Sequence, residues 1–229
     1  MSIYAVIGLG RLGAAVATYL TEHGAEVIGI DFDPGRVDAL KDQVTHAVCL
    51  DATDEKALRA AGVAECSVVV LALGEERLEQ AVLATMLLRD LGVGRIIARA
   101  ATDVQAKVLD RLGVSRVIFP ERQIGVQVAR QILSPSVREM MPIAAGTSLA
   151  EVGVPVAFVG KTLGALQLRR DFRLNAVAVR RRREVVQDDG HVEAVEEVDN
   201  LPGPDTKLLA GDVLLVVGAD ESIRAFAAA

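Results

Sequence analysis

The sequence predicts an α/β protein: a doubly wound parallel sheet followed by a small α+β lobe. Three observations carry that prediction. Six short apolar runs alternate with amphipathic stretches between residues 3 and 133. The runs, "VVVLAL" at 68–73 among them, are continuously apolar, as strands buried on both faces of a parallel sheet must be. After "SPS" at 134–136 and "MMP" at 140–142 the alternation stops and a different pattern begins.

Each element has its own signal. "IYAVI" reads as a buried strand, and Leu12 to His23 as a helix ended by Gly24, the usual left-handed cap residue. "EVIGID" is the second strand; Asp33-Pro34 then supplies an N-cap and a first-turn proline for a helix through Lys41. "HAVCL" is the third strand, and Thr53 or Asp54 starts a helix stopped by Gly62. "SVVVLAL" is the fourth strand, with a helix from Glu75 to Leu91 before Gly92. "RIIAR" and "RVIF" are the fifth and sixth, followed by helices over 102–112 and from Glu121 to Leu133.

The division is therefore expected at 133/134, with 1–133 binding nucleotide and 134–229 forming the second lobe. In that lobe "SLAEVGV", "NAVAVRR" and "VLLVVG" read as strands, "TLGALQLRRD" and "ESIRAF" as helices. Asp189-Gly190 reads as the turn of a hairpin.

Composition excludes several function classes. The chain has 229 residues, 51% of them apolar, so a substantial core is expected. No apolar run approaches a membrane span and no signal-peptide pattern opens the chain, which predicts a soluble cytoplasmic protein. Net charge is −6, against general nucleic-acid binding. The run "RRRR" at 180–183 is followed by acidic residues from Glu184 to Asp199 and reads as a charge-paired hairpin. Two cysteines, Cys49 and Cys66, make no disulfide framework. His46 and Cys49, three apart, read as ordinary strand residues, because no second pair of ligands accompanies them.

The chemistry lies in "GLGRLG". Gly8, Gly10 and Gly13 follow a strand and open a helix, the setting in which G-x-G-x-x-G cradles a phosphate in a Rossmann-type fold. Gly8 permits the tight turn, Gly10 lets phosphate approach the backbone, and Gly13 allows close helix–strand packing. Free amides and the positive end of the helix dipole favour an anion there. Asp31 closes the second strand, where a carboxylate accepts the ribose hydroxyls; it also repels a 2′-phosphate, as does Asp33, so NADP is disfavoured while NAD, ATP and ADP remain. "DATD" at 51–54 either borders the adenine end or is an ordinary N-cap turn. Arg11 projects from the first turn, where its charge is mildly unfavourable unless it meets a terminal phosphate. The candidate nucleotide contacts are thus Gly8, Gly10, Arg11, Leu12 and Gly13, then Asp31 and Phe32. Asp51, Ala52 and Thr53, Ala72, Leu73 and Gly74, and Arg99 complete them.

"VIGLGRLG", "EVIGIDFDPGRVDAL", "THAVCLDATDEKAL", "VVVLALG", "RIIARA", "KVLDRLGVSRVIFPER" and "GVQVAR" together resemble the RCK (regulator of potassium conductance) family, the cytosolic subunits of bacterial Trk/Ktr potassium uptake systems. With one fingerprint and a short chain, the resemblance is to the Ktr type. It implies TrkA-N and TrkA-C domains, a homodimer assembling into an octameric ring, and a potassium-translocating membrane subunit as partner. It also implies competition of ATP and ADP for the crevice, with Arg11 and Arg99 near the phosphates. Glu121 matches an acidic position that in some members binds Mg²⁺ or Ca²⁺, and it equally reads as a helix-start carboxylate stabilised by the dipole. Several relatives bind cyclic di-AMP in the C-terminal lobe, which directs attention to Arg169, Arg170 and Asn175.

Two other functions compete. An NAD-dependent oxidoreductase needs an acid/base beside the nicotinamide, and neither His23, His46 nor His191 stands in a suitable place. The chain is therefore expected not to be an enzyme. A regulator that senses NAD(H) keeps the partner and changes the ligand.

Overall fold

Ala5, Val6 and Ile7 of the first strand, β1 (Ile3–Ile7), are at most 1% exposed. A strand so buried needs a neighbour on each edge and a layer on each face. The structure, a computed structural model describing residues 2–186 and 192–229, supplies both. β1 lies between β2 (Glu26–Asp31) and β4 (Val68–Leu71), parallel to each. With β3 (His46–Cys49), β5 (Ile96–Arg99) and β6 (Arg116–Ile118) they make one parallel sheet in the order β3-β2-β1-β4-β5-β6. Alternate residues serve opposite faces: Ala5 and Ile7 join one apolar cluster with Leu58, Leu88 and Leu109, and Val6 joins another with Leu9, Ala17 and Leu40. This is the predicted doubly wound arrangement.

The crossovers are α1 (Arg11–Glu22), α2 (Pro34–Leu40), α3 (Glu55–Ala60), α4 (Leu78–Asp90) and α5 (Asp103–Arg111), with α6 (Pro120–Leu133) after the last strand. Their starts follow the sequence signals. Asp33 accepts from Gly35 N, Asp54 from Lys56 N and Ala57 N, and Thr102 from Gln105 N. One start differs. The helix expected from Glu75 begins at Leu78, because Arg77 (φ −113°, ψ 36°) leaves helical geometry and Glu75–Arg77 forms a separate 3₁₀ turn. That turn borders the crevice described below.

The chain divides into two compact units, Met1–Gln123 and Ile124–Ala229. The division falls inside α6, ten residues ahead of the expected 133/134. No residue of α6 is buried, so the helix adds no buried side chain to either core.

The second unit holds a five-stranded antiparallel sheet, ordered β10-β9-β11-β8-β7, of β7 (Val137–Ala144), β8 (Thr147–Gly153), β9 (Asn175–Val186), β10 (Val192–Asp199) and β11 (Val213–Ala219). Short helices α7 (Leu163–Leu166) and α8 (Leu168–Asp171) precede β9, and α9 (Asp220–Ala227) closes the chain. Phe158, Phe172 and Phe226 pack together at its core, with centroids 5.3–5.8 Å apart. β7 runs through the "MMP" read as a break. Its place at the sheet edge explains why: Pro142 withholds a donor only where no further strand needs one. β9 and β10 pair as the expected hairpin, while Asp189-Gly190 lies outside the described residues.

The arginine run lies on β9. Arg181 and Arg182 face Glu197 and Glu196 across the ladder. Two guanidiniums also reach acids beyond the hairpin: Arg180 bonds Glu151, and Arg181 makes a bidentate pair with Asp212 at 2.9 and 2.8 Å. The run is a structural tie as well as a charged face. His46 and Cys49, three apart on β3, point to opposite sheet faces and make no shared site.

Candidate functional site

The carboxyl ends of β1, β2, β4 and β5 open into one crevice of about 900 Å³ within the first unit. This is where doubly wound sheets bind ligands, because the strand order reverses about β1.

The cradle starts at Gly8, whose φ of +94° is left-handed and whose missing side chain would stand 2.9 Å from Ala72 O. Gly13 is tighter still: a Cβ there would lie 1.8 Å from Gly8 O, so α1 touches the loop backbone itself. Gly10 caps α1 and faces open space, with only Arg36 Nη1 within 4 Å of a Cβ, at 3.9 Å. The first bond of the helix runs from Ala14 N to Gly10 O at 2.8 Å, leaving the amides of Arg11, Leu12 and Gly13 ahead of it. No acidic residue lies in the first turn of α1 to offset the dipole.

Asp31 is buried at the end of β2, 4% exposed. Its Oδ2 accepts Leu9 N–H at 2.7 Å and its Oδ1 accepts Asp33 N–H at 3.0 Å, so one carboxylate holds the glycine-rich loop and the next turn together. Arg36 leans on it at 3.5 Å and on Asp33 at 3.7 Å. Asp51, at the next strand end, accepts both the N–H and the hydroxyl of Thr53 at 2.9 and 2.8 Å. Those two bonds hold the Asp51 carboxyl below the usual carboxylate range, and Arg77 adds a smaller push the same way.

Two further arginines of the crevice differ in their partners. Arg11 lines the crevice and has no carboxylate partner among the described residues. Arg99 donates Nη2 to Glu121 Oε1 at 2.7 Å, while its Nε is buried without a hydrogen-bond partner among the described residues. Glu121 is thus committed to Arg99, and no group of three or more His, Cys, Asp or Glu among the described residues could hold a metal. The described residues of one chain alone do not fit a divalent-cation site.

Of the sequence candidates, Gly13 and Thr53 lie behind the crevice wall and support it; the others line it, Glu121 included. Sequence reasoning missed Arg36, Glu75, Glu76 and Arg77. Nothing marked them, since they belong to a helix start and a turn whose exact geometry spacing does not fix. Arg169, Arg170 and Asn175 lie in the second unit, all exposed, with Arg170 paired to Asp171 at 2.8 Å.

The family model of the TrkA-N domain matches residues 4–120, and that of the TrkA-C domain matches residues 148–229. The chain belongs to the TrkA-N/TrkA-C family. Within it, the Ktr system potassium uptake protein C of Bacillus subtilis is 31% identical over 223 residues, 97% of this chain and 95% of the relative. The Ktr system potassium uptake protein A of Vibrio alginolyticus is 30% identical over 220 residues, 96% and 94%. The resemblance to RCK subunits of the Ktr type, with one fingerprint, therefore holds over both domains. The GsuK channel bound to NAD matches with a TM-score of 0.51 and 25% identity, over 99% of this chain and 38% of that one. The GsuK RCK domain, at 24% identity and a TM-score of 0.52 over 98% and 45%, shares the fold. Among the described residues no helix is long and apolar enough to cross a membrane.

Proposed function

We propose that this chain is a nucleotide-sensing regulatory subunit that gates a potassium-uptake membrane protein from the cytoplasmic side, with ATP and ADP competing for the crevice. The observation that carries the reading is Arg11. A guanidinium beside a glycine cradle, with no carboxylate partner among the described residues, is suited to a terminal phosphate that ATP has and ADP lacks. Asp31 takes the ribose and the free amides of α1 take the inner phosphates. Arg99, with a donor to spare, adds a second cation.

Gating then needs only different affinities of two assembly shapes for two ligands. The assembly is a homodimer built into an octameric ring, as in the family. A face of α6 supports contact between chains: Ile124, Val128 and Ile132, four apart, are 59%, 47% and 73% exposed. Among the described residues no histidine lines the crevice, which favours sensing over hydride transfer.

A second reading is favoured by one neighbour. The GsuK channel has been solved with NAD bound, and Asp31 suits NAD as well as ATP. Thermal unfolding of the purified chain with ATP, ADP and NADH separates the two. Stabilisation by ATP and ADP at micromolar to millimolar concentrations is expected; a response to NADH with none to ATP or ADP would replace the first reading by the second.

A further inference from the structure

We propose that Phe32 and Arg77 form the base slot of the crevice, with Arg77 selecting a purine by stacking. The inference rests on the nucleotide reading above and names what holds the other end of the ligand.

Asp31 holds the glycine-rich loop through Leu9 N and is followed by Phe32 just past the end of β2. Arg77, the last residue of the 3₁₀ turn after β4, reaches the same place. With phosphates in the cradle and ribose at Asp31, the base falls on the Phe32 side. There the Arg77 guanidinium lies over the Phe32 ring, its carbon 4.0 Å from the ring centroid.

The pair bridges the mouth from two strand ends. Phe32 is one of five phenylalanines in the chain, and it is 49% exposed while Phe158 and Phe226 lie in a core. An open ring beside a ribose-binding carboxylate is a stacking platform, and every nucleobase has a π face to lay on it. Arg77 supplies the opposite wall. Its guanidinium is planar, weakly hydrated and stacks on aromatic faces, properties a lysine ammonium lacks. Its one ion pair among the described residues is with Glu76, at 3.8 Å, too long to fix it in place, and Asp51 feels its charge from further off. Arg36, by contrast, has two carboxylates within reach, Asp31 at 3.5 Å and Asp33 at 3.7 Å.

The same side chain accounts for the late start of α4. Arg77 leaves helical geometry at the position from which it reaches Phe32, and a continuous helix from Glu75 would carry it through a different rotation. A bound base exchanges one guanidinium–phenyl contact for two contacts, above and below. The gain grows with ring area, so a purine outranks a pyrimidine, whereas adenine and guanine stack comparably.

The experiment is calorimetric titration of the full chain with ATP, AMP and CTP, using wild type, Arg77→Ala, Arg77→Lys, Phe32→Leu and the double variant. Arg77→Ala should weaken ATP and AMP by the same factor, about tenfold, and CTP by less. Arg77→Lys should recover only part of the loss, and the Arg77→Ala penalty should shrink in the Phe32→Leu background. Unchanged unfolding of ligand-free Arg77→Ala keeps the comparison clean. A loss for ATP far greater than for AMP makes Arg77 a phosphate contact and overturns the slot. Affinities equal to wild type overturn it too, with the nucleotide reading left standing. A wild type that binds neither ATP nor AMP removes the nucleotide reading and the slot together.

Discussion

Leu9 donates its backbone N–H to Asp31 Oδ2 at 2.7 Å, out of reach of solvent. The residue proposed to take the ribose therefore also shapes the loop proposed to take the phosphates. Asp31→Asn keeps one acceptor oxygen but turns an amide N–H toward Leu9 or Asp33. It should destabilise the ligand-free protein by about 1–2 kcal/mol, besides weakening nucleotide. Denaturant unfolding without ligand measures this; an unchanged midpoint would mean that Asp31 serves the ligand only.

The three fingerprint glycines should fail in different ways. Gly13→Ala drives a methyl into Gly8 O, a backbone atom that cannot step aside, and should cost about 3 kcal/mol or more. Gly10→Ala meets only the Arg36 guanidinium among the described residues, at an ordinary contact distance of 3.9 Å, and has φ −71°, so its unfolding should shift by less than about 0.5 kcal/mol. Its methyl enters the cradle, however, and nucleotide affinity should fall at least about tenfold. Calorimetric titration alongside thermal unfolding separates the two; equal behaviour of the variants would contradict the geometry.

Arg11→Ala should weaken ATP roughly tenfold or more and ADP less, since a charge-assisted bond to the terminal phosphate is about 1.5–3 kcal/mol. Equal losses in parallel titrations would take the γ-phosphate away from Arg11.

In the second unit, Asp212 is 1% exposed and its carboxylate serves both Arg181 and Leu209 N. Arg181→Ala strands that charge and should cost about 2–3 kcal/mol, while Arg182→Ala, on the exposed side, should stay within about 0.5 kcal/mol. Comparable unfolding curves for the two would show that the run is merely a charged face.

The order of strands and crossovers could be read from the sequence because each signal was local: an apolar run, a capping aspartate, a glycine ending a helix. Most of the crevice lining followed for the same reason, since the fold places those residues at strand ends. Three things escaped. Pro142 interrupts a pattern but is harmless on an edge, and which strand is the edge depends on the whole sheet. Arg77 sits in a stretch with ordinary helical composition, and its contact with Phe32 spans forty-five positions. The division within α6 reflects where contacts cease, which spacing does not record.

The sheet order also sets a sequence of events during synthesis. β1 is made first but sits in the middle, and its pairing of Ile7 with Leu71 waits for most of the crossovers to be complete. Until β4 arrives, Gly8 lacks the Ala72 wall against which it turns. A nascent chain shorter than Arg77 thus carries the fingerprint without the crevice. Free nucleotide can rescue or select only those chains that have already closed the sheet around their own first strand.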